Sequence, residues 1–325
     1  MAILVGIDEA GYGPLLGPLV VSASGFAVPD ELLKADLWKV LSKSVANKRG
    51  RLLGRLLICD SKKAHSKSIG IKHLQRTTLA CMKLTGKSPA NIVELLESLA
   101  PDCLERLVEY PWHENIDQRK IEVEEKDIAV AAAAFGNNLA DNNIELLYLA
   151  SNCLDVGHYN KLIDAVKNKA TVLFTATCQH IKHAWDNCKQ CQLQIIVDRQ
   201  GGRVRYQRTL SRMFPELEMT ILKETPSISS YQLNETRDTG HKRRSMRIHF
   251  VIKADSKYLP VSLASMVSKF VRELLVANIN HYFCGHFPQL KPTAGYWKDG
   301  QRFIKDIETN IGHVKYRQEQ LIRSR

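Results

Sequence analysis

The stretch MAILVGIDEAGYGP at positions 1–14 constrains the fold more than any other part of the chain. Ala2-Ile3-Leu4-Val5-Gly6 is apolar throughout, the pattern of a strand covered on both faces. Asp8 and Glu9 follow directly, and a glycine-proline turn closes the run. Two adjacent carboxylates at the buried end of a strand are costly unless something cationic meets them.

The rest of the pattern predicts a mixed β-sheet flanked by helices, an α/β fold. Gly17-Pro18 opens a second β-rich run, LVVSASGFAV, broken at Pro29. A helix is expected from the N-cap Asp30 to about Ala46, and RLLICDS at 55–61 reads as a short strand ending in Asp60. Helical spacing covers 70–109, 126–140 and about 159–186. Strands at 192–197, 218–222 and 247–254 then alternate with helices at 206–214 and 261–283. Residues 225–245 read as an exposed loop or hairpin. Neither an internal repeat nor a domain boundary is evident, so one catalytic-size domain over 1–325 is expected.

The chain of 325 residues carries 46 Lys and Arg against 34 Asp and Glu, a formal charge of +12. Its basic residues cluster at Arg199, Arg203, Arg205, Arg208 and Arg212, and again at Lys242, Arg243 and Arg244. Such acid-poor patches suit a polyanion, most simply nucleic acid. A basic surface with no partner is the competing reading. No apolar run approaches the roughly 18 residues of a membrane span. The N-terminus lacks a secretion pattern, and eight cysteines without tight spacing read as reduced thiols. A cytoplasmic protein without membrane partners is expected.

Three further features carry chemistry. Asp198 ends LQIIVD and precedes Gly201-Gly202, an acid at a strand mouth beside residues that allow close backbone approach. Glu273 lies on a helix whose other face holds Leu263, Met266, Val267, Phe270, Val271 and Leu274. Converging, Asp8, Glu9, Asp198 and Glu273 would require hard divalent cations, Mg²⁺ or Mn²⁺. Otherwise Asp8 caps a turn, and Asp198 and Glu273 are surface charges. CQHIKHAWDNCKQC offers Cys178, His180, His183, Cys188 and Cys191 as zinc ligands, against a plain helix surface.

The wording of these segments adds a resemblance. GIDEAGYGPLLGPLVV, CDSKKAHSK, IIVDRQGG, IKADSKYLPVSLASMVSKFVRE and PTAGYWKDGQRFIKDI resemble, in order, motifs of the type 2 ribonuclease H (ribonuclease HII) family. The likeness covers about 1–75 and 190–317. It lapses over about 90–180, where an enlarged helical insertion is expected, and a helical extension is expected over about 284–325. The resemblance implies a ribonuclease H-like fold, divalent metal, and two-metal endonucleolytic hydrolysis of RNA paired with DNA. Carried over by position, Asp8, Glu9, Asp198 and Glu273 are the metal-binding and catalytic carboxylates. It also implies substrate contacts from Gly11, Tyr12 and Gly13, phosphate contacts from Lys62 and Lys63, and a stacking role for Tyr316.

Two positions depart from the family pattern. Glu273 stands where the family has aspartate, and Tyr12 where it has arginine. Lys269, four residues before Glu273, is placed to pair with it. Tyr296 reads as a packing residue at a helix start. The alternatives are a nuclease of this fold with another nucleic-acid substrate, and a silent nucleic-acid-binding homologue.

Overall fold

The computed structural model describes residues 1–66, 68–188, 192–236, 244–310, 314 and 316–324. Strands β1 (Ala2–Ala10) and β2 (Leu19–Val28) come first, followed by the single turn α1 (Leu37–Val40) and the short strands β3 (Val45–Ala46) and β4 (Leu56–Leu57). A helical stretch comes next: α2 (Ser61–Ala64), α3 (Lys72–Leu84), α4 (Ile92–Leu99), α5 (Leu104–Leu107) and α6 (Glu125–Asp141). Then come β5 (Glu145–Leu154), α7 (Val156–Val166), α8 (Lys169–Asn187), β6 (Gln192–Asp198) and α9 (Gln207–Met213). The hairpin β7 (Leu217–Glu224) and β8 (Ile228–Glu235) leads to β9 (Ser245–Val251). Helices α10 (Leu259–His286), α11 (Trp297–Asn310) and α12 (Gln318–Leu321) complete the chain.

Seven strands form one sheet in the order β5-β2-β1-β6-β9-β8-β7. The middle three, β1, β6 and β9, run parallel, and the flanking pairs are antiparallel. Side chains alternate across a strand, so β1 feeds two cores. Ala2 and Leu4 join α3, α6 and α10 on one face. Val5 and Ile7 join α7 and α8 on the other. Gly6 carries no side chain because a Cβ there would lie 2.2 Å from the Pro260 carbonyl carbon, so α10 rests directly on β1.

Several expectations are corrected. The helix expected over 30–46 is a 3-10 turn and the short α1, because Asp36 accepts from Trp38 N and restarts the chain. The segment at 159–186 is two helices, broken where Lys167 turns left-handed (φ 50°) and Asn168 caps α8 through Ala170 N and Thr171 N. Of the loop or hairpin expected over 225–245, residues 228–235 form a sheet strand that pairs antiparallel with β9. The stretch 90–180, expected to be helical, also contributes β5, which pairs with β2 at the sheet's edge. Lys242 and Arg243 of the second basic cluster lie outside the described residues. No helix among the described residues is long and apolar enough to cross a membrane.

Candidate active site

The parallel strands bring their carboxyl ends side by side. Ile7 pairs with Val197 across β1 and β6, which sets Asp8 beside Asp198. Asp198 in turn pairs with Val251, the last residue of β9. Beyond Val251 the chain turns through Ala254–Ser256, and Ala254 N donates to Asp198 Oδ1 at 2.6 Å. That bond holds the next residue, Asp255, at the same sheet end. A site at the carboxyl ends of parallel strands follows from the topology.

The four acids share one electrostatic environment. Asp8 is buried, and its carboxyl is held well above the usual carboxylate range by burial, then by Glu9, Asp198 and Asp255; a Ser265 hydrogen bond opposes this. Glu9 is pushed up to about 8 by burial and Asp198. Asp198 is pushed up to about 6 by burial, with Asp255 adding to it, and Asp255 is itself raised by burial and by Asp60. Lys62 opposes the rise at Glu9, Asp198 and Asp255. Lys63 opposes it at Asp255 as well, and two lysines against four carboxylates leave negative charge uncompensated. The strand's alternation sends Asp8 towards α10 and Glu9 to the opposite face. Among the described residues, no three His, Cys, Asp or Glu side chains are already gathered as a metal-binding group.

Asp255 was missed in the sequence, and Glu273 stands differently from its expected place. Glu273 accepts from Lys269 Nζ at 2.5 Å and from Arg272 Nη1 at 3.2 Å, with His65 Nε2 at 3.9 Å. Its helix position explains this. Ser268 Oγ donates to Asp8 O at 3.0 Å, and Glu273 is five residues further, about 7.5 Å along the axis. Glu273 balances a buried cation instead: Arg272 is 1% exposed and ties the Gly11–Gly17 turn through Leu16 O at 3.2 Å and Ala294 O at 3.1 Å. The expected Lys269–Glu273 pair is present.

Gly11 has φ +92°, and a Cβ there would lie 2.5 Å from Pro18 O and 2.8 Å from Arg272 Nε. Glycine is therefore required for the turn to lie on Arg272. Tyr12 is half-buried with Lys169 Nζ 5.2 Å from its ring centre, and Gly13 is open to solvent. Lys62 and Lys63 follow Asp60, whose carboxylate caps α2 by accepting from Lys62 N at 2.9 Å. Both lysines line a cavity of about 680 Å³ with Arg49, His65, Asp60 and Asp255.

Other candidates have other uses. Tyr316 is half-buried and packs perpendicular to Phe283, with ring centres 5.4 Å apart. Tyr296 is 48% exposed beside Lys269 and Arg272, rather than packed in a core. His180 is buried with Nε2 2.9 Å from Val21 O, and Cys178 and Cys188 are buried in the core on that face. Cys191 lies outside the described residues. Arg199 braces its own turn through Arg203 O and Gly202 O.

No family model matches this chain, and no curated protein does. Solved structures do. The chain is similar to ribonuclease HII from Archaeoglobus fulgidus, solved in complex with PCNA, at 17% identity and a TM-score of 0.45, over 99% of this chain and 94% of that one. It is similar to ribonuclease H2 from Pyrococcus horikoshii at 14% identity and a TM-score of 0.41, over 98% and 92%. Bst-RNase HIII in complex with Mn²⁺ matches at 13% identity and a TM-score of 0.40, over 99% of this chain and 66% of that one.

Proposed function

We propose that the chain is a divergent type 2 ribonuclease H, a divalent-metal-dependent endonuclease that cuts the RNA strand of RNA–DNA hybrids. The observation that carries this reading is the set of four acids, Asp8, Glu9, Asp198 and Asp255, at the carboxyl ends of three parallel strands. The ordered motifs GIDEAGYGP, DSKK and KFVRE support it from the sequence.

The donor set fits a hard cation. It is all carboxylate oxygen, and its affinity for protons is raised first by burial and then by the repulsion of neighbouring acids. Asp8, Glu9, Asp198 and Asp255 would hold Mg²⁺ or Mn²⁺. Such ions supply Lewis-acid activation of water and charge neutralisation at the departing oxygen.

The chain's own groups do the rest. Ser268 Oγ holds the Asp8 backbone by donating to its carbonyl, and Ala254 N fixes Asp198. Lys62, Lys63 and Arg49 along the adjoining cavity suit backbone phosphates, which position a strand without reading its sequence. The Gly11–Gly13 turn, held by Arg272, lets a backbone approach closely enough to meet a 2′-hydroxyl, the group that separates RNA from DNA. The test is cleavage of matched RNA–DNA, RNA–RNA and DNA–DNA duplexes in Mg²⁺ and in Mn²⁺. Cutting confined to the RNA of the hybrid is expected. Equal cutting of DNA, or none of the hybrid in either metal, overturns the reading.

A further inference from the structure

The Gly11–Gly17 turn has a second side. There a cavity of about 330 Å³ is lined by Tyr12, Gly13, Tyr159, Lys169, Trp297 and Arg323, with no acidic side chain among the described lining residues. Arg323 is 4% exposed, its guanidinium lies 4.0 Å from the Tyr159 ring centre, and its Nη1 donates to Gly11 O. Its Nε has no hydrogen-bond acceptor among the described residues. A buried guanidinium without a carboxylate partner is costly, and an anion removes that cost.

The arginine is built in, although it stands almost at the end of the sequence. Arg323 N donates to Leu15 O at 3.0 Å, and Leu16 bridges Ile322. Asn160 clamps the same strap three times, donating to Glu319 O at 2.9 Å and Ile322 O at 2.8 Å and accepting from Ser324 N at 2.7 Å. Lys169 adds a second cation above Tyr12. Lys169 over the Tyr12 ring and Arg323 over the Tyr159 ring, in a cavity that Trp297 also lines, match a phosphate joined to a flat base or sugar.

We propose that this pocket is a nucleic-acid subsite. It takes a backbone phosphate of the strand that passes over the Gly11–Gly13 turn, with Arg323 and Lys169 on the phosphate and Tyr12 beneath the adjoining nucleoside. The proposal rests on the nuclease reading for its substrate, and its test is a binding measurement independent of cleavage.

The full chain is titrated by fluorescence anisotropy against a labelled RNA–DNA hybrid in EDTA, from 50 to 200 mM salt (about the range over which phosphate contacts are read). Lys169→Ala and Arg323→Gln are each expected to flatten the dependence of log K on log salt by about 1, the loss of one phosphate contact. Lys182→Ala, on the same helix but paired with Asp186 at 2.7 Å, is the control and leaves the slope unchanged. Lys169 is exposed, so its replacement tests the pocket even if Arg323→Gln does not fold. A wild-type slope in Lys169→Ala, or an equal loss in Lys182→Ala, overturns the proposal. So does calorimetric binding of inorganic phosphate that depends on Lys169 while the duplex slope stays unchanged. A wild-type chain that binds the hybrid but does not cut it removes the catalytic reading and leaves the subsite standing.

Discussion

Two acid clusters lie close together on this molecule and behave in opposite ways. At the sheet end, Asp8, Glu9, Asp198 and Asp255 raise one another's affinity for protons, with Lys62 and, at Asp255, Lys63 opposing, and burial drives them towards the protonated form. On α10, Glu273 is met by Lys269, Arg272 and His65. An acid already neutralised by neighbours has little to offer a metal; acids that repel one another have a great deal. Under the proposed function, the difference gives metal binding to the first set and support of the Gly11–Gly17 turn to Glu273.

Substitution should separate the two. Asp198→Asn and Asp255→Asn are each expected to lower hybrid cleavage on the order of 10³-fold, about the several kcal/mol of charge stabilisation a catalytic metal supplies. Initial rates in saturating Mg²⁺ measure this. Glu273→Gln should instead appear in folding. It leaves Arg272 buried without its carboxylate, and a loss of about 3 kcal/mol in urea unfolding is expected. Asp255→Asn should move metal-free stability the other way, by about 1 kcal/mol at neutral pH, because one repelling charge disappears. Destabilisation by both variants would erase the distinction between the clusters.

The smallest effect is a pH dependence. Glu9 and Asp198 are raised to about 8 and about 6, so the metal-free folded chain keeps protons that the unfolded chain has released. Their stabilising contribution is full below the unfolded carboxylate range and is lost as pH rises through about 6 and then about 8. Added Mg²⁺ should therefore raise the melting temperature by more at pH 8 than at pH 6, the two differing by a few degrees. The buried His113 and His180 and the half-buried His249, lowered to about 3, 4 and 4, act in the opposite direction. Their stability is complete above the usual histidine range and is lost as pH falls, and it cancels in the difference between metal and no metal. An equal Mg²⁺ shift at both pH values would contradict the charge imbalance.

The central strands were legible because β1 opens on a continuous apolar run and β6 closes on Ile195-Ile196-Val197, each followed by an acid. β5 was not, since ELLYLASNCL mixes polar and apolar residues without a period of two. The helix break at Lys167 was missed because lysine is an ordinary helix former, and only Asn168, the cap of α8, marks it in the sequence. Three of the four clustered acids were readable as strand ends. Asp255 was not, because it follows β9 in a turn, and only the Ala254–Asp198 bond brings it back to the sheet. Glu273 attracted attention because it closes a helix motif, whereas Arg272 beneath the glycine turn decides its use.

The most direct test of this assignment is Mn²⁺ binding, followed by calorimetry, in the wild-type chain and in Asp255→Asn and Glu273→Gln. Loss of binding in Asp255→Asn with near-normal binding in Glu273→Gln is the expected result. The reverse pattern would contradict it.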